Sequence, residues 1–396
     1  MPVPRSLRLL HIASFNGNIG DNANHMGFRP WFEAQLGAPA AWTSLEIREF
    51  YWRERQWDEG LVAYINSHDM LIIGGGNYFE LWVEHSPTGT SVAMQPKLFE
   101  KISVPVSFNA LGVDPGQGVP DVCRKRFTAF LDTLLGSEQY LVSVRNDGAR
   151  ENLRQHIGPE YAERVHDLPD HGFFVPAADE PSPWASGDGR RVAINLACDM
   201  SETRFSGFEN QAAFAREMAS VITGLAERDS SLQVCLVPHI FRDLEIIAQT
   251  IDFLDDRLRR TRLSIAPYGS GDAAARQSLS VYRDADLVLG MRFHANVCPM
   301  ALGTHVLGLS CYPQITNLYR GLNLADRLLN VGQPGFAEEA LARAEPLLAG
   351  SGDHADAARQ ALSEVGKARS DFEPHLQRWL SRQTADQAAP ARAAIT

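Results

Sequence analysis

The chain has 396 residues, 44% of them hydrophobic and 21% charged, with a net charge of −11. That length supports two ordinary domains with real cores, and the charged fraction does not suit wholesale disorder. The acidic balance lacks the basic surplus of a protein that wraps nucleic acid, so no nucleic-acid partner is expected.

In chain order, LRLLHIASF (7–15) reads as a buried strand, NGNIGDN as a turn, and ANHMGFRPWFEAQL as the start of a helix. DMLIIGGGNYF (69–79) is a second strand running into three glycines, and VPVSFNALG (104–112) a third. CRKRFTAFLDTLLG has apolar residues at helical spacing. YLVSVRNDGARENLRQHIG is strand, turn and helix, and RVHDLPDHGFF a short strand leaving for a loop. Residues 175–191, VPAADEPSPWASGDGRR, are rich in Pro, Ser, Gly and Asp and read as a linker.

The pattern then restarts with strands in RVAINLA, LQVCLVPH, RLSIAP, DLVLGM and HVLGLS, and helices between them. Such alternation predicts parallel sheets covered on both faces. The expected organisation is α/β: a domain over 1–178, a second over 179–335, a helical segment over 336–382 interrupted by Pro374, and a flexible tail over 383–396. With two halves, the cleft between them is the expected site.

Five cysteines are scattered and never spaced CxxC, which argues against a disulfide framework or a cysteine zinc site. The N-terminus lacks the apolar run of a signal peptide, and no run approaches the roughly 20 apolar residues of a membrane span. A soluble, cytoplasmic protein without a transmembrane segment is expected.

LVLGMRFHANVCPMALG (287–303) places Arg292 and His294 between an expected strand and an expected helix. Unpaired N–H groups at a helix start favour an anion. Arginine adds a permanent charge and a fork fitted to carboxylate or phosphate. Histidine exchanges a proton near neutral pH. The alternative is an arginine paired with a nearby carboxylate and a histidine at a helix start.

Arg145, in SVRND, ends another strand and is a second candidate anion clamp. PHIFRD puts His239 just past a strand and Asp243 in a first helical turn, where it complements the dipole. The glycine turns NGNIGDN and GGGN would let a backbone approach a ligand. HDLPDHG offers His166, Asp167, Asp170 and His171 but no motif that fixes metal coordination; no metal is expected.

Taken in order, NGNIGDN, DMLIIGGGN, SVRNDGARENL, LPDHGF, PHIFRD, ADLVLGMRFHANVCPMALG and LGLSCYPQITNLYRGLNL resemble the polysaccharide pyruvyl transferase family from about residue 8 to 330. The resemblance implies a GT-B-like fold of two Rossmann-like, doubly wound domains facing a central cleft, with C-terminal helices. It implies transfer of the enolpyruvyl unit of phosphoenolpyruvate to a sugar or other hydroxylated acceptor, as a pyruvate ketal, with phosphate leaving. No cofactor is demanded.

Arg292 and His294 match the family's R-x-H motif and would be catalytic. With Arg145 and His239 they would bind the donor, His294 giving a proton to the enol or shepherding the phosphate. Asn18, Gly20, Asp21, Asn22, His25, Gly75, Gly76 and Asn77 would lie on the acceptor side, where Tyr78, Phe79 and Trp82 are candidates to stack on a sugar. Two positions depart from the family pattern: Asn146 stands where an Asp is usual and Gln314 where a Lys is common. The competing readings are a GT-B glycosyltransferase using a nucleotide sugar, with Glu245 and Asp272 as ribose candidates, and a non-catalytic binding protein on the same fold.

Overall fold

Runs of branched and aromatic residues bounded by glycine become central strands in the computed structural model of the chain. It describes residues 6–184, 189–350 and 352–393, with side chains in the last helix described over 354–383. Part of the 175–191 linker and the last three residues of the expected tail therefore lie outside the described residues.

Two six-stranded sheets carry the architecture. The first is built from β1 (Leu7–Ala13), β2 (Ala40–Glu46), β3 (Met70–Gly74), β5 (Val106–Leu111), β7 (Tyr140–Val144) and β8 (His166–Asp167), in the order β2-β1-β3-β5-β7-β8. Between them β4 (Phe79–Glu80) and β6 (Val113–Asp114) form a separate parallel pair. The second sheet contains β9 (Arg191–Asn195), β10 (Gln233–Leu236), β11 (Leu263–Ile265), β12 (Leu287–Gly290), β13 (His305–Ser310) and β14 (Leu328–Asn330), in the order β11-β10-β9-β12-β13-β14. The pairings in both sheets are parallel.

The strand order reverses between β1 and β3 in one sheet and between β9 and β12 in the other. Neighbouring connections there leave to opposite faces, which opens a crevice at the strands' carboxyl ends. NGNIGDN and GGGN follow β1 and β3; Arg292 follows β12. Topology thus puts the singled-out residues where α/β sheets receive ligands.

The chain divides into two compact units: 1–15, 28–170 and 365–396 in the first, 16–27 and 171–364 in the second. The first has a core on each side of its sheet. Ile12, Ile73, Phe108 and Phe130 belong to one, while Leu9, Phe28, Phe32, Phe372 and Trp379 belong to the other. The second unit's main core gathers Ile194, Phe214, Ile222, Leu236, Leu289 and Leu307.

This division departs from a boundary at 178 in two ways. Residues 16–27 group with the second sheet, because Gly27 lies so close to His171 that an added Cβ would stand 2.0 Å from its carbonyl oxygen. The C-terminal helices are not a segment apart. One runs Ala337–Leu348 and packs Leu341 and Ala344 into the second core, and the next runs Gly352–Ala393 without a break at Pro374. Phe372, Leu376 and Trp379 hold that helix against the first unit's sheet, and this burial outweighs the backbone bond that proline removes.

One strand is irregular. Opposite the single Ser143 of β7, β5 places two residues, Asn109 and Ala110, and Ala110 has φ +48°. The Ser143 hydroxyl fills the gap in the ladder: it donates to the Phe108 carbonyl at 3.1 Å and accepts from the Ala110 N–H at 2.9 Å. This is a β-bulge, and it redirects the chain that follows, Leu111 to Asp114. Among the described residues, no helix is long and apolar enough to cross a membrane.

Candidate active site

In the second unit, β12 ends at Gly290 and the next helix starts at His294. Two asparagines shape the link. Asn195, at the end of β9, accepts the Arg292 N–H at 3.0 Å. Asn296 donates to the carbonyls of Gly290 and Arg292 at 2.9 and 2.8 Å and accepts from the Tyr319 hydroxyl at 2.8 Å. Much of the turn's backbone is thereby bonded, as buried backbone requires.

The Arg292 guanidinium is not an open clamp. Its Nε donates to Asp243 Oδ2 at 2.8 Å, one Nη donates to Asp243 Oδ1, and the same Nη reaches Asp199 Oδ1 at 2.6 Å. Asp243 is fully buried and starts the helix Asp243–Asp252; the same carboxylate accepts the N–H groups of His239 and Ile240. Burial works against the arginine's charge, but Asp243 and then Asp199 outweigh it and raise its pKa above the ordinary value. Burial likewise disfavours the Asp199 anion, yet Arg292 and Arg204 hold its carboxyl below the usual range. The carboxylate-paired arginine, the alternative left open by the sequence, is what the structure contains. Asp199 remains partly exposed, at 27% of its side chain.

His294 is buried beside Phe293, in edge contact with its ring. Gly20 packs on it: a Cβ there would stand 2.5 Å from His294 Nδ1 and 2.7 Å from its Cβ. The first turn of the helix Ile19–Leu36 therefore meets the first turn of the helix His294–Ala301, so the positive ends of two helix dipoles lie in one place. Asn18 accepts the Gly20 N–H at 3.1 Å, Ile19 donates to the His239 carbonyl at 3.2 Å, and Asn22 donates to Asp272 at 3.0 Å. Asp21 and His25 are buried on the same helix. These residues, expected on the acceptor side, group instead with Arg292 and His294 in the second unit. His239 is buried too, and its Nε2 lies 2.5 Å from the Tyr282 hydroxyl. Burial, then the nearby Arg292 and His294, push its pKa well below the usual value, so it stands neutral.

Arg145, expected beside Arg292, belongs to the first unit. Its Nε donates to Asp147 at 2.6 Å and its Nη1 lies 3.6 Å from Asp170. Asn146 accepts the Asp170 N–H at 3.1 Å and so fixes that partner. Gly112 is where Arg145 meets the glycine loop: an added Cβ would stand 2.2 Å from Asn77 Oδ1 and 2.8 Å from Arg145 Nη2. Gly75 needs its φ of +86°, and Gly76 lies against the Tyr78 ring. Asn77 donates to Asp114 at 2.7 Å, and the Tyr78 hydroxyl accepts from the Ser14 N–H. Phe79 is core, which removes it from any sugar-facing role; Trp82 is half-buried. In HDLPDHG, Asp170 serves Arg145, Asp167 pairs with Arg150, and His166 faces His375. Among the described residues, no three His, Cys, Asp or Glu side chains gather as a metal site would require.

Asn195, Asp199, Arg204 and Asn296 escape sequence reasoning. The signal that could have found Asn195 and Asp199 is their position in NLACD, polar residues at the carboxyl end of the strand bordering the reversal of order.

The family model for polysaccharide pyruvyl transferase matches residues 17–312. Among solved structures, S. aureus MnaA with UDP superposes with a TM-score of 0.55 at 12% identity, over 95% of this chain and 97% of that one. The UDP-GlcNAc 2-epimerase from Neisseria meningitidis bound to UDP-GlcNAc gives 0.53 at 10%, over 94% and 100%. Anabaena Alr3699/HepE with UDP and glucose gives 0.53 at 11%, over 93% and 99%. At such identities the likeness is one of fold: GT-B-like, with two parallel sheets and C-terminal helices. No curated protein matches the sequence.

Proposed function

The chain belongs to the polysaccharide pyruvyl transferase family and is a transferase, and on that footing we propose that it moves the pyruvate unit of phosphoenolpyruvate onto hydroxyls of a glycan or similar acceptor, as a cyclic ketal. The observation that carries this reading is the meeting of Arg292, His294 and two helix starts in one buried place.

The donor is a small polyanion, and the reading is supported by two helix starts, whose dipoles favour an anion, and by a guanidinium whose outer nitrogen is shared between Asp243 and the partly exposed Asp199. Asp243 keeps the guanidinium plane fixed, so it needs no reorganisation when an anion arrives. His294 is placed to give its proton to the donor's methylene carbon. The second carbon then becomes electrophilic, an acceptor hydroxyl adds to it, phosphate departs and a second hydroxyl closes the ketal. His239, neutral and bonded to Tyr282, orients the loop that carries Asp243. Phosphoenolpyruvate titrated into the chain in a calorimeter is expected to bind, and His294→Ala to bind it but release no phosphate in the presence of acceptor. A folded chain that takes up no phosphoenolpyruvate would sink the reading.

A second reading, nucleotide-sugar transfer, is favoured by one feature. A cavity of 710 Å³ in the second unit lies beyond β13 and is lined by Arg204, Ser310, Tyr312, Thr316 and Arg320. Neither Glu245 nor Asp272, the ribose candidates, lines it: Glu245 accepts from Gln211, and Asp272 from Asn22. A large thermal shift with UDP and none with phosphoenolpyruvate would favour this second reading.

A further inference from the structure

We propose that the cavity beyond β13 is a second anion site, which takes the phosphate group of a small phosphate ester, and that Asp199 couples its occupancy to that of Arg292. The site stands on its own observations within the second unit; the coupling rests on the donor reading of Arg292 given above.

The chain carries a net charge of −11, but the lining of this cavity has the opposite sign. Arg204, Arg320 and Arg343 line it against a single carboxylate, Glu339. That carboxylate is already taken by Arg343, whose Nη2 lies 2.5 Å from it, one turn away on the helix Ala337–Leu348. Arg343 also donates to the carbonyls of Asp326 and Leu328, so it is a fixed part of the wall. Arg320, in the last turn of the helix Pro313–Gly321, makes no ion pair among the described residues. Its side chain donates to Asn317 Oδ1 at 3.4 Å. An exposed arginine without a carboxylate is ordinary on a surface, but this one borders a cavity that holds a buried arginine as well.

Arg204 is the buried member, with only 10% of its side chain exposed. Its Nε donates to the Asp199 carbonyl at 2.8 Å, an Nη lies 3.5 Å from the Cys311 sulfur, and the guanidinium stands 5.5 Å from the centre of the Tyr312 ring. Its contact with a carboxylate is long: Nη2 lies 3.4 Å from Asp199 Oδ2, while Asp199 Oδ1 lies 2.6 Å from Arg292. Asp199 is therefore drawn toward Arg292, and it does not line the cavity. A cation lines the cavity while its counter-charge lies outside, which leaves a positive field for a ligand. Ser310 and Thr316 add two hydroxyls, 2.7 Å apart.

Guanidinium forks and hydroxyls together supply more donors than the two oxygens of a carboxylate can use, and a phosphate group has three strong acceptors for them. The volume of 710 Å³ is that of a small-molecule site and far exceeds a bare phosphate ion, so the ligand is an ester of sugar or nucleotide size. Asp199 touches both guanidinium groups, and this joins the two sites. A phosphate that engages Arg204 takes up the charge that now draws Asp199, so the carboxylate stays on Arg292, where it opposes the donor. Each anion then weakens the binding of the other by the same factor.

Calorimetry on the full chain, R320A and D199N tests both parts, with inorganic phosphate, glucose 1-phosphate and UDP as probes and phosphoenolpyruvate as the second anion. In the parent an ester is expected to bind and to raise the Kd of phosphoenolpyruvate about fivefold, levelling off as the ester saturates. R320A is expected to lose about tenfold or more in ester affinity. Because the deleted charge is exposed and screened, R320A should keep the parent's affinity for phosphoenolpyruvate within about twofold. D199N should still bind the ester, with the coupling reduced to less than about twofold. Equal melting temperatures show that the variants fold. Tighter binding of glucose 1-phosphate makes the ligand a sugar phosphate and tighter binding of UDP makes it a nucleotide; either supports the site. A parent chain that takes none of the probes overturns it, as does inorganic phosphate binding as tightly as both esters, or R320A binding the esters like the parent. Phosphoenolpyruvate affinity that falls in R320A as far as ester affinity shows the cavity to be the donor's own, which overturns the proposal too. D199N with the parent's full coupling overturns the role of Asp199. A parent that binds ester through Arg320 but no phosphoenolpyruvate overturns the donor reading and the coupling, and leaves the second site standing.

Discussion

Asp199 Oδ1 lies 2.6 Å from an outer nitrogen of Arg292, in the position where an incoming anion would bind that guanidinium. Asp243, fully buried, holds Nε and shares that outer nitrogen. On the donor reading proposed for Arg292, the two carboxylates would have different duties: one a fixed support and the other, partly exposed, an internal competitor.

Asp199→Asn should therefore tighten phosphoenolpyruvate binding, by about threefold to tenfold, since a charge that opposes the donor is removed while a hydrogen-bonding side chain stays. Calorimetry on the two chains measures it. Weaker binding by the variant would show that Asp199 orients Arg292 instead of competing for it.

Asp243→Ala should be the opposite case. It leaves a buried guanidinium with one partner and two N–H groups without their acceptor. Breaking a buried pair from one side costs about 3–5 kcal/mol, which denaturant unfolding would read as a large fall in midpoint. A variant as stable as the parent would mean that the pair contributes nothing to folding.

Gly20→Ala should separate activity from stability. Alanine favours a helix by up to about 1 kcal/mol over glycine, but its Cβ would press on His294 Nδ1 and Cβ. Displacing a catalytic group by about 1 Å can cost roughly 100-fold in rate. The expected result is a melting temperature near the parent's with kcat greatly reduced.

His166 makes stability depend on pH. Burial, then His375, Arg150 and Arg378, lower its pKa to about 4, with Asp167 opposing. The unfolded chain binds a proton near pH 6.5 that the folded chain refuses until about pH 4. This contribution is complete above pH 6.5 and is lost as pH falls toward 4. His166→Asn should flatten the fall in melting temperature over that window by a few degrees, read by calorimetric scans.

Much of the fold could be read from local sequence. LLHIA, LIIG, VAIN and LVLG are mostly apolar runs, as strands buried on both faces tend to be, and each becomes a central strand. AAWTSLE (β2) went unread because it is an edge strand, half-buried with mixed residues. Phe79–Glu80 and Val113–Asp114 are too short to carry any period.

The site was legible only in part. That Arg292 and His294 sit between a strand and a helix follows from their neighbours in sequence. Their partners do not: Asp243 and Asp199 are 49 and 93 residues away along the chain. The grouping of Asn18 to His25 with His294 depends on close packing at Gly20 and Gly27, which a glycine in a turn cannot announce.

The bulge at Ala110 bears on any attempt to re-target the enzyme. The stretch from Gly112 to Gly116 leaves a bulge that one hydroxyl, that of Ser143, bridges in place of a missing rung, and Gly76, Phe79 and Asn152 hold it further on. An engineer grafting a foreign loop over that stretch to admit another sugar inherits the aim only if the serine and the odd alanine travel with the scaffold. Replace Ser143 by valine, and the transplanted loop points elsewhere, however well its own sequence was chosen.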